Sequence, residues 1–374
     1  MRRNGVLALV DWKALTILVA LMAMGLVNLW SASEGMGVPF YQRQLLWLAV
    51  GGVFGLLVFS IDYRHYEGLA YLLYGLGMGL LVVVLLIGVE VGGAKRWIEM
   101  GWLRFQPSEY MKLGLVIGLA RYFYRRPRPR GYSLRDLAVP FLMVLGPAVL
   151  VALEPDLGTA LLLFLIFFGV VLFCGIRRRS LLILLAALAS SAPLGWSLLK
   201  DYQRRRILAF LDPYSDPLGS GYHLIQSKIA VGSGGLWGKG FLGGTQCKLQ
   251  FLPQYHTDFA FALLGEEWGF VGCAIVLILF LLLILWGLET AFKAKDRFGA
   301  VIAVGVTAMI FIHVAVNIGM VLGMLPVVGL PLPFFSYGGS CTVAHMMGVG
   351  LLLNVRSRRH LLAPRGGLER VQPL

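Results

Sequence analysis

Ten long apolar runs, almost free of charge, constrain this chain more than any other feature. They cover residues 14–30, 45–61, 69–89, 107–124, 137–153, 157–174, 180–199, 259–286, 299–325 and 341–355. A helix needs about 17–25 apolar residues to cross the hydrocarbon, allowing for tilt. The runs are continuous, unlike the roughly 10-residue alternations of a membrane barrel. Of the 374 residues, 58% are hydrophobic and 14% charged, against about 45–50% and about 25% in soluble domains. Soluble, disordered and disulfide-scaffold folds are thereby excluded. The expected fold is all-α, a polytopic membrane protein of ten transmembrane helices forming one domain over 1–374. Cys174, Cys247, Cys273 and Cys341 have neither metal nor disulfide spacing, and the three in apolar runs read as small apolar fillers.

The net charge of +14 is sorted by membrane side before any nucleic acid is invoked. With the N-terminus in the cytoplasm, twenty-one of the 33 Lys and Arg fall on that side and eleven on the other. Both termini are therefore expected in the cytoplasm, with a cytoplasmic tail over 356–374. Ser31-Ala32-Ser33 resembles a cleavage site, but the run before it is long for a signal peptide and the charge alternation needs it as an anchor. One connection is long: residues 200–257, between spans seven and eight on the outer face. It holds Arg204-Arg205-Arg206 and nine glycines between Gly219 and Gly244, and a long ordered loop in a compact bundle is usually functional. No internal repeat is evident, which argues against an inverted-repeat transporter.

Charged residues in hydrocarbon are expensive and each needs a reason. Those inside the runs are Glu109, Lys112, Arg121, Glu266 and Glu267. Arg121 is close enough to a helix end to snorkel. Glu109 and Lys112, three apart, share a helical face; they form either a self-neutralising pair or part of a polar cavity. Glu266 and Glu267 point to different faces, and hydrogen bonding to other helices is their plainer role. His313, Asn317 and His345 read as an interhelical hydrogen-bond cluster.

Asp258 lies where the long loop re-enters the membrane. It either caps the next helix, whose positive end would lower its pKa, or presents a carboxylate to a lipid-linked substrate. The cations Arg204–Arg206, Lys228, Lys239 and Lys248 are either a solvated patch or a phosphate site. Gly232-Ser233-Gly234-Gly235 with Gly238 and Gly240 offers amides to an anion, without the spacing of a nucleotide P-loop.

Gly221-Tyr222-His223-Leu224-Ile225-Gln226-Ser227, Gly232 to Gly240, Gly244-Thr245-Gln246, Leu252-Pro253 and His256-Thr257-Asp258-Phe259 occur in that order. So do Lys95-Arg96-Trp97, Phe105-Gln106-Pro107-Ser108-Glu109 with Lys112, Glu154-Pro155-Asp156-Leu157-Gly158-Thr159 and Pro331-Leu332-Pro333 with Ser336-Tyr337-Gly338-Gly339-Ser340. Over about 14–358 the chain resembles the SEDS family, the shape, elongation, division and sporulation proteins. Gly244-Thr245-Gln246 with Phe251-Leu252-Pro253 looks more like the elongation branch than the division branch. Gln254, Ala260 and Cys341 depart from the family's usual residues.

The resemblance implies a peptidoglycan glycosyltransferase that polymerises lipid II on the outer face of the cytoplasmic membrane, activated by a class B penicillin-binding protein. Asp258 matches the family's essential aspartate. By motif, Glu109, Lys112, Arg96, Lys239, Gln226, Ser227 and His256 are expected to line the substrate site, joined by Arg204 from the basic run of the long loop. The transfer inverts an α-linked pyrophosphate into a β-glycosidic bond, so one base and charge neutralisation at the leaving group suffice. No cofactor is required; a divalent cation, Mg or Mn, is compatible with that neutralisation, though no run of carboxylates is there to hold one. Membrane lipids are the other expected partner, and nucleic acid is not. A lipid II flippase and a cell-wall scaffold are the alternatives: the first needs a polar path through both leaflets, the second only a docking surface.

Overall fold

The computed structural model describes residues 11–358 apart from 35–37, 92–93, 102, 200, 216, 218, 220 and 249–250. Arg2, Arg3 and the tail beyond 358 lie outside the described residues, as do the side chains of Cys247 and Lys248. Long helices stand where the ten runs were expected: α1 (Trp12–Glu34), α2 (Phe40–Ser60), α3 (Tyr63–Ile87), α4 (Pro107–Arg125), α5 (Leu134–Leu153), α6 (Leu157–Cys174), α7 (Arg178–Leu198), α11 (Ala260–Phe292), α12 (Arg297–Val321) and α13 (Gly339–Arg358). Between α7 and α11 lie α8 (Asp201–Leu211), α9 (Tyr222–Ser233) and the single turn α10 (Thr245–Lys248). Among the described residues seven helices are long and apolar enough to cross a membrane: α1, α2, α3, α5, α6, α11 and α12. Such a set makes this an integral membrane protein. Charge in α4, which carries Glu109, Lys112, Arg121 and Arg125, keeps it outside that set.

The all-α expectation needs one correction. Residues 89–105, where no strand was expected, form a three-stranded antiparallel sheet, β1 (Val89–Val91), β2 (Ala94–Met100) and β3 (Leu103–Phe105). Gly101, at φ +64°, makes the tight turn from β2 to β3. Opposite charges face one another across the ladder: Glu90 opposes Lys95, and Glu99 meets Arg104 at 2.9 Å. The sheet lies against α3 and α4 and carries Arg96.

α12 is the hub, packed on α4, α6, α9, α11 and α13. Nearly all of its side chains are buried, whereas α2 and α3 turn large apolar faces outward, as lipid-facing helices do. α2 and α13 approach closely through glycine: a Cβ on Gly350 would lie 2.4 Å from the Gly55 carbonyl oxygen.

α11 is interrupted. Gly269 has φ +63° and ψ −159°, a conformation open only to glycine. The glycine-rich stretch fills the break. Gly235 and Leu236 carbonyls accept from the amides of Phe270 and Val271, while the amides of Lys239 and Gly240 donate to the carbonyls of Glu266 and Glu267. Close contact requires the glycines, since a Cβ on Gly238 would lie 2.1 Å from the Glu267 carbonyl oxygen. Of the amides expected to cradle an anion, that of Gly238 is instead committed to Gly234 O and that of Gly240 to Glu267 O at the broken helix.

Candidate active site

The segment before α11 is pinned by its backbone and its apolar side chains. Leu252, Tyr255 and Phe259 are buried. The Tyr255 hydroxyl donates to Ala32 O at 3.2 Å, and the His256 ring stacks on Phe40 with centroids 4.1 Å apart. The amide of Tyr337 donates to His256 O at 2.9 Å. Asn317 Nδ2, from α12, donates to Asp258 O at 2.8 Å and to Leu330 O at 2.7 Å. Burial pushes the His256 imidazole down to about 4, so this ring is neutral at physiological pH.

Asp258 does not cap α11. Phe259 holds the N-cap position, and no side-chain cap bond is made. The Asp258 side chain is half-buried, and its pKa is raised to about 6. Burial is the main cause; Asp156 adds to it, while Arg96, Arg206 and a hydrogen bond with Thr257 oppose it. The helix-end field expected to lower the pKa is outweighed, because a carboxylate that makes no cap bond gains little from the helix end. A carboxylate poised near 6 is a better base than an ordinary aspartate and is still ionised at pH 7.

Three other elements bring charge to this point. Arg96 comes from β2, Arg206 from α8 and Asp156 from the start of α6. Asp156 caps α6, accepting from Thr159 N at 3.1 Å and Thr159 Oγ1 at 3.0 Å, and it meets Arg96 Nη1 at 3.4 Å. Glu154, beside it, is fully buried, and neither carboxylate oxygen has a hydrogen-bond partner among the described residues. Burial, aided by Asp156 and opposed by Arg96, pushes its pKa up to about 8. Glu154, Asp156 and Asp258 are thus a carboxylate group assembled by folding. Arg96 already supplies its positive charge and occupies an oxygen that a divalent ion would need.

Beneath lies a buried polar chain. Lys112 and Glu109 are both buried and meet at 2.7 Å. Lys112 Nζ also lies 2.8 Å from His313 Nε2; an ammonium only donates, so Nε2 accepts. The His313 ring meets the His345 ring edge-on at 4.6 Å, and His345 Nδ1 donates to Cys341 O at 2.8 Å. Cys341 lies within electrostatic range of Glu109, Lys112 and Asp258, joining this chain to the carboxylate above. His313, Cys341 and His345 place three possible ligand atoms within 4.8 Å of one another, but the adjacent ammonium opposes a cation there.

The remaining expected residues divide. Arg204 does not face Asp258: its guanidinium donates to Trp196 O at 3.1 Å and Ser197 O at 2.8 Å at the end of α7. Lys239 Nζ meets Glu266 Oε1 at 2.6 Å, and that oxygen also accepts from the amides of Thr245 and Gln246. Glu267 accepts from Ser31 Oγ at 2.5 Å. Ser227 is buried, with its hydroxyl on Val321 O at 2.7 Å, and Gln226 is half-buried beside it on α9. His313 and Asn317, read as one cluster, part company: the first serves Lys112, the second the Asp258 loop. Arg206, named only within the Arg204–Arg206 run, and Asp156 and Glu154, quoted only as part of a motif, join the site; the signal was two carboxylates between spans five and six, at the same end as Asp258.

Known proteins resemble this chain along nearly its full length. A profile of the FtsW, RodA and SpoVE family, described as cell cycle proteins, matches residues 11–361. The peptidoglycan glycosyltransferase MrdB of Escherichia coli K12 is 44% identical, covering 94% of this chain and 95% of its own. A chain from a solved peptidoglycan synthase complex, described as coordinating polymerization and crosslinking, superposes with a TM-score of 0.81 at 40% identity, covering 94% of this chain and 98% of that one. The rod shape determining protein RodA of Thermus thermophilus superposes at 0.71 and 35% identity, again over 94% and 98%. With a family profile matched over residues 11–361 and 44% identity to a member along nearly the whole length, the chain belongs to the FtsW/RodA/SpoVE family, the SEDS proteins.

Proposed function

We propose that this protein is a peptidoglycan glycosyltransferase of the elongation type, polymerising lipid II on the outer face of the cytoplasmic membrane. One observation carries the reading: a half-buried carboxylate that caps nothing, poised near 6, with Arg96 and Arg206 acting on it from two other elements. In this reading all ten long helices span the bilayer, both termini are cytoplasmic, and the 200–257 segment lies outside. The density of Arg from Arg121 to Arg135 supports that orientation.

Asp258 takes the proton from the 4-hydroxyl of the acceptor GlcNAc as that oxygen attacks the anomeric carbon of the donor MurNAc. The bond from that carbon to the pyrophosphate oxygen breaks, and the lipid pyrophosphate leaves with the electron pair. Attack from the opposite face turns the α linkage into β. Arg96 and Arg206 offset the charge growing on the leaving group, where a planar guanidinium suits phosphate oxygens. Glu109 and Lys112, already paired, shape the dry floor. His256, neutral and stacked on Phe40, adds polar surface beside Asp258. The partner is a class B penicillin-binding protein, consistent with the complex that the 40%-identical chain comes from.

The test uses the purified protein with that partner, in vesicles with labelled lipid II. Glycan strands are expected. Movement of label across the bilayer without glycan product would mean a flippase instead.

A further inference from the structure

Asn317 is fully buried on α12, one turn beyond His313. Its amide nitrogen has two protons, and both are used: one on Asp258 O, the other on Leu330 O. One side chain therefore fastens two separate backbone segments to the central helix, the one that carries Asp258 and the one that follows α12. A second feature concerns the same place. Gly329 has φ +78°, and a Cβ built there would lie 3.3 Å from Asp258 Oδ2. The 329–330 backbone is thus a wall against which the carboxylate rests, and the spacing between wall and carboxylate is set by the two bonds of Asn317.

We infer that Asn317 is a positioning residue for the transfer: it touches the peptide of Asp258 rather than the carboxylate, and holds that carboxylate at a fixed distance from the Gly329 wall. The inference rests on the reading of Asp258 as the base. The charged and titratable groups that act on Asp258 are Arg96 from β2, Arg206 from α8 and Asp156 at the start of α6, with Cys341 of α13 near it. Asn317 donates to the Asp258 and Leu330 carbonyls, so a change at 317 reaches the carboxylate through its placement. Freed from the wall, Asp258 gains water, and its titration moves back toward that of an ordinary aspartate.

The test compares Asn317→Leu, similar in volume but without donors, with the parent and with Asp258→Asn, each as the complex with the partner, using labelled lipid II. A displacement of about 1 Å costs up to about a hundredfold in rate. Asn317→Leu is expected to lower kcat about tenfold to a hundredfold with KM within about twofold, and to move the acid limb of the pH–rate profile below that of the parent. Asn317→Gln, which keeps an amide, is expected to recover part of the rate. A folded Asn317→Leu with parental kcat and parental acid limb overturns the inference. So does a loss of rate that follows only the folded fraction while the acid limb stays in place. Should Asn317→Leu not fold, Asn317→Ser, which is smaller and keeps a single donor, carries the same expectation of a lowered kcat and a lowered acid limb, and parental values there overturn it. If Asp258→Asn polymerises like the parent, the base reading itself has failed; if it is inactive while Asn317→Leu is normal, only the positioning role has.

Discussion

At the scale of single residues, the site is governed by which carboxylates keep a partner. Among the described residues Glu154 has no hydrogen-bond partner, and its pKa is raised to about 8 from an ordinary 4.5. A raised folded-state pKa means the unfolded chain gives up its proton first. The stabilising contribution of protonated Glu154 is therefore whole below about 4.5 and is lost as pH climbs through 8. Glu154→Gln should melt increasingly above the parent between those values, with the difference level beyond pH 8, in thermal scans of the detergent-solubilised protein. A constant difference across pH would refute the assignment. The arginines make a sharper contrast. Arg206 acts on Asp258, whereas Arg204 holds the end of α7. Arg206→Ala should reduce polymerisation about tenfold to a hundredfold, as expected if it binds a leaving-group phosphate oxygen through a charged hydrogen bond of about 1.5–3 kcal/mol, with little change in melting. Arg204→Ala should do the reverse. Sequence alone pointed to Asp258 through its motif and named the Arg204–Arg206 run. It could not say which arginine faces inward, because that depends on how α8 rotates against the bundle.

At the scale of elements, the inserted glycine-rich stretch explains several residues at once. Glu266 would be a buried charge without company were it not for Lys239 and the amides of Thr245 and Gln246. Lys239→Met removes the one cation from a fully buried carboxylate. It should lower stability by about 1–3 kcal/mol, since Lys239 is itself partly exposed and solvent moderates the pair. The check is a thermal melt beside a lipid II titration: reduced melting with a parental KM fits a staple, and unchanged melting with a raised KM would make Lys239 a phosphate ligand. The pairing joins residues 27 apart in sequence, across a break in α11 that the uninterrupted apolar run conceals. The sheet was hidden for a similar reason. β1 and β3 are three residues each, too short for an alternation to register, and only the facing charges hinted at a hairpin.

At the scale of the whole molecule, helix positions were readable because the bilayer demands long apolar runs whatever their neighbours. What could not be read was which helix takes the centre. Several runs are as apolar as α12, yet α12 is the most buried of the seven apolar helices and the one that delivers His313 and Asn317. Orientation remains the claim of charge distribution, and it makes a prediction. In a variant freed of native cysteines, a cysteine at 128 should react with an impermeant thiol reagent only after cells are opened, and one at 205 should react in intact cells. The opposite pattern would turn the molecule over and put Asp258 on the wrong side for an exported lipid-linked substrate.

The central claim is that Asp258 removes the proton of the attacking hydroxyl. The most direct measurement is the rate of glycan formation from labelled lipid II by Asp258→Asn beside the parent, both as the partner complex and with other polymerases blocked. A loss of about 10²–10⁴-fold, with substrate still bound, is the result expected for a missing general base. An asparagine variant that polymerises at the parental rate would contradict it.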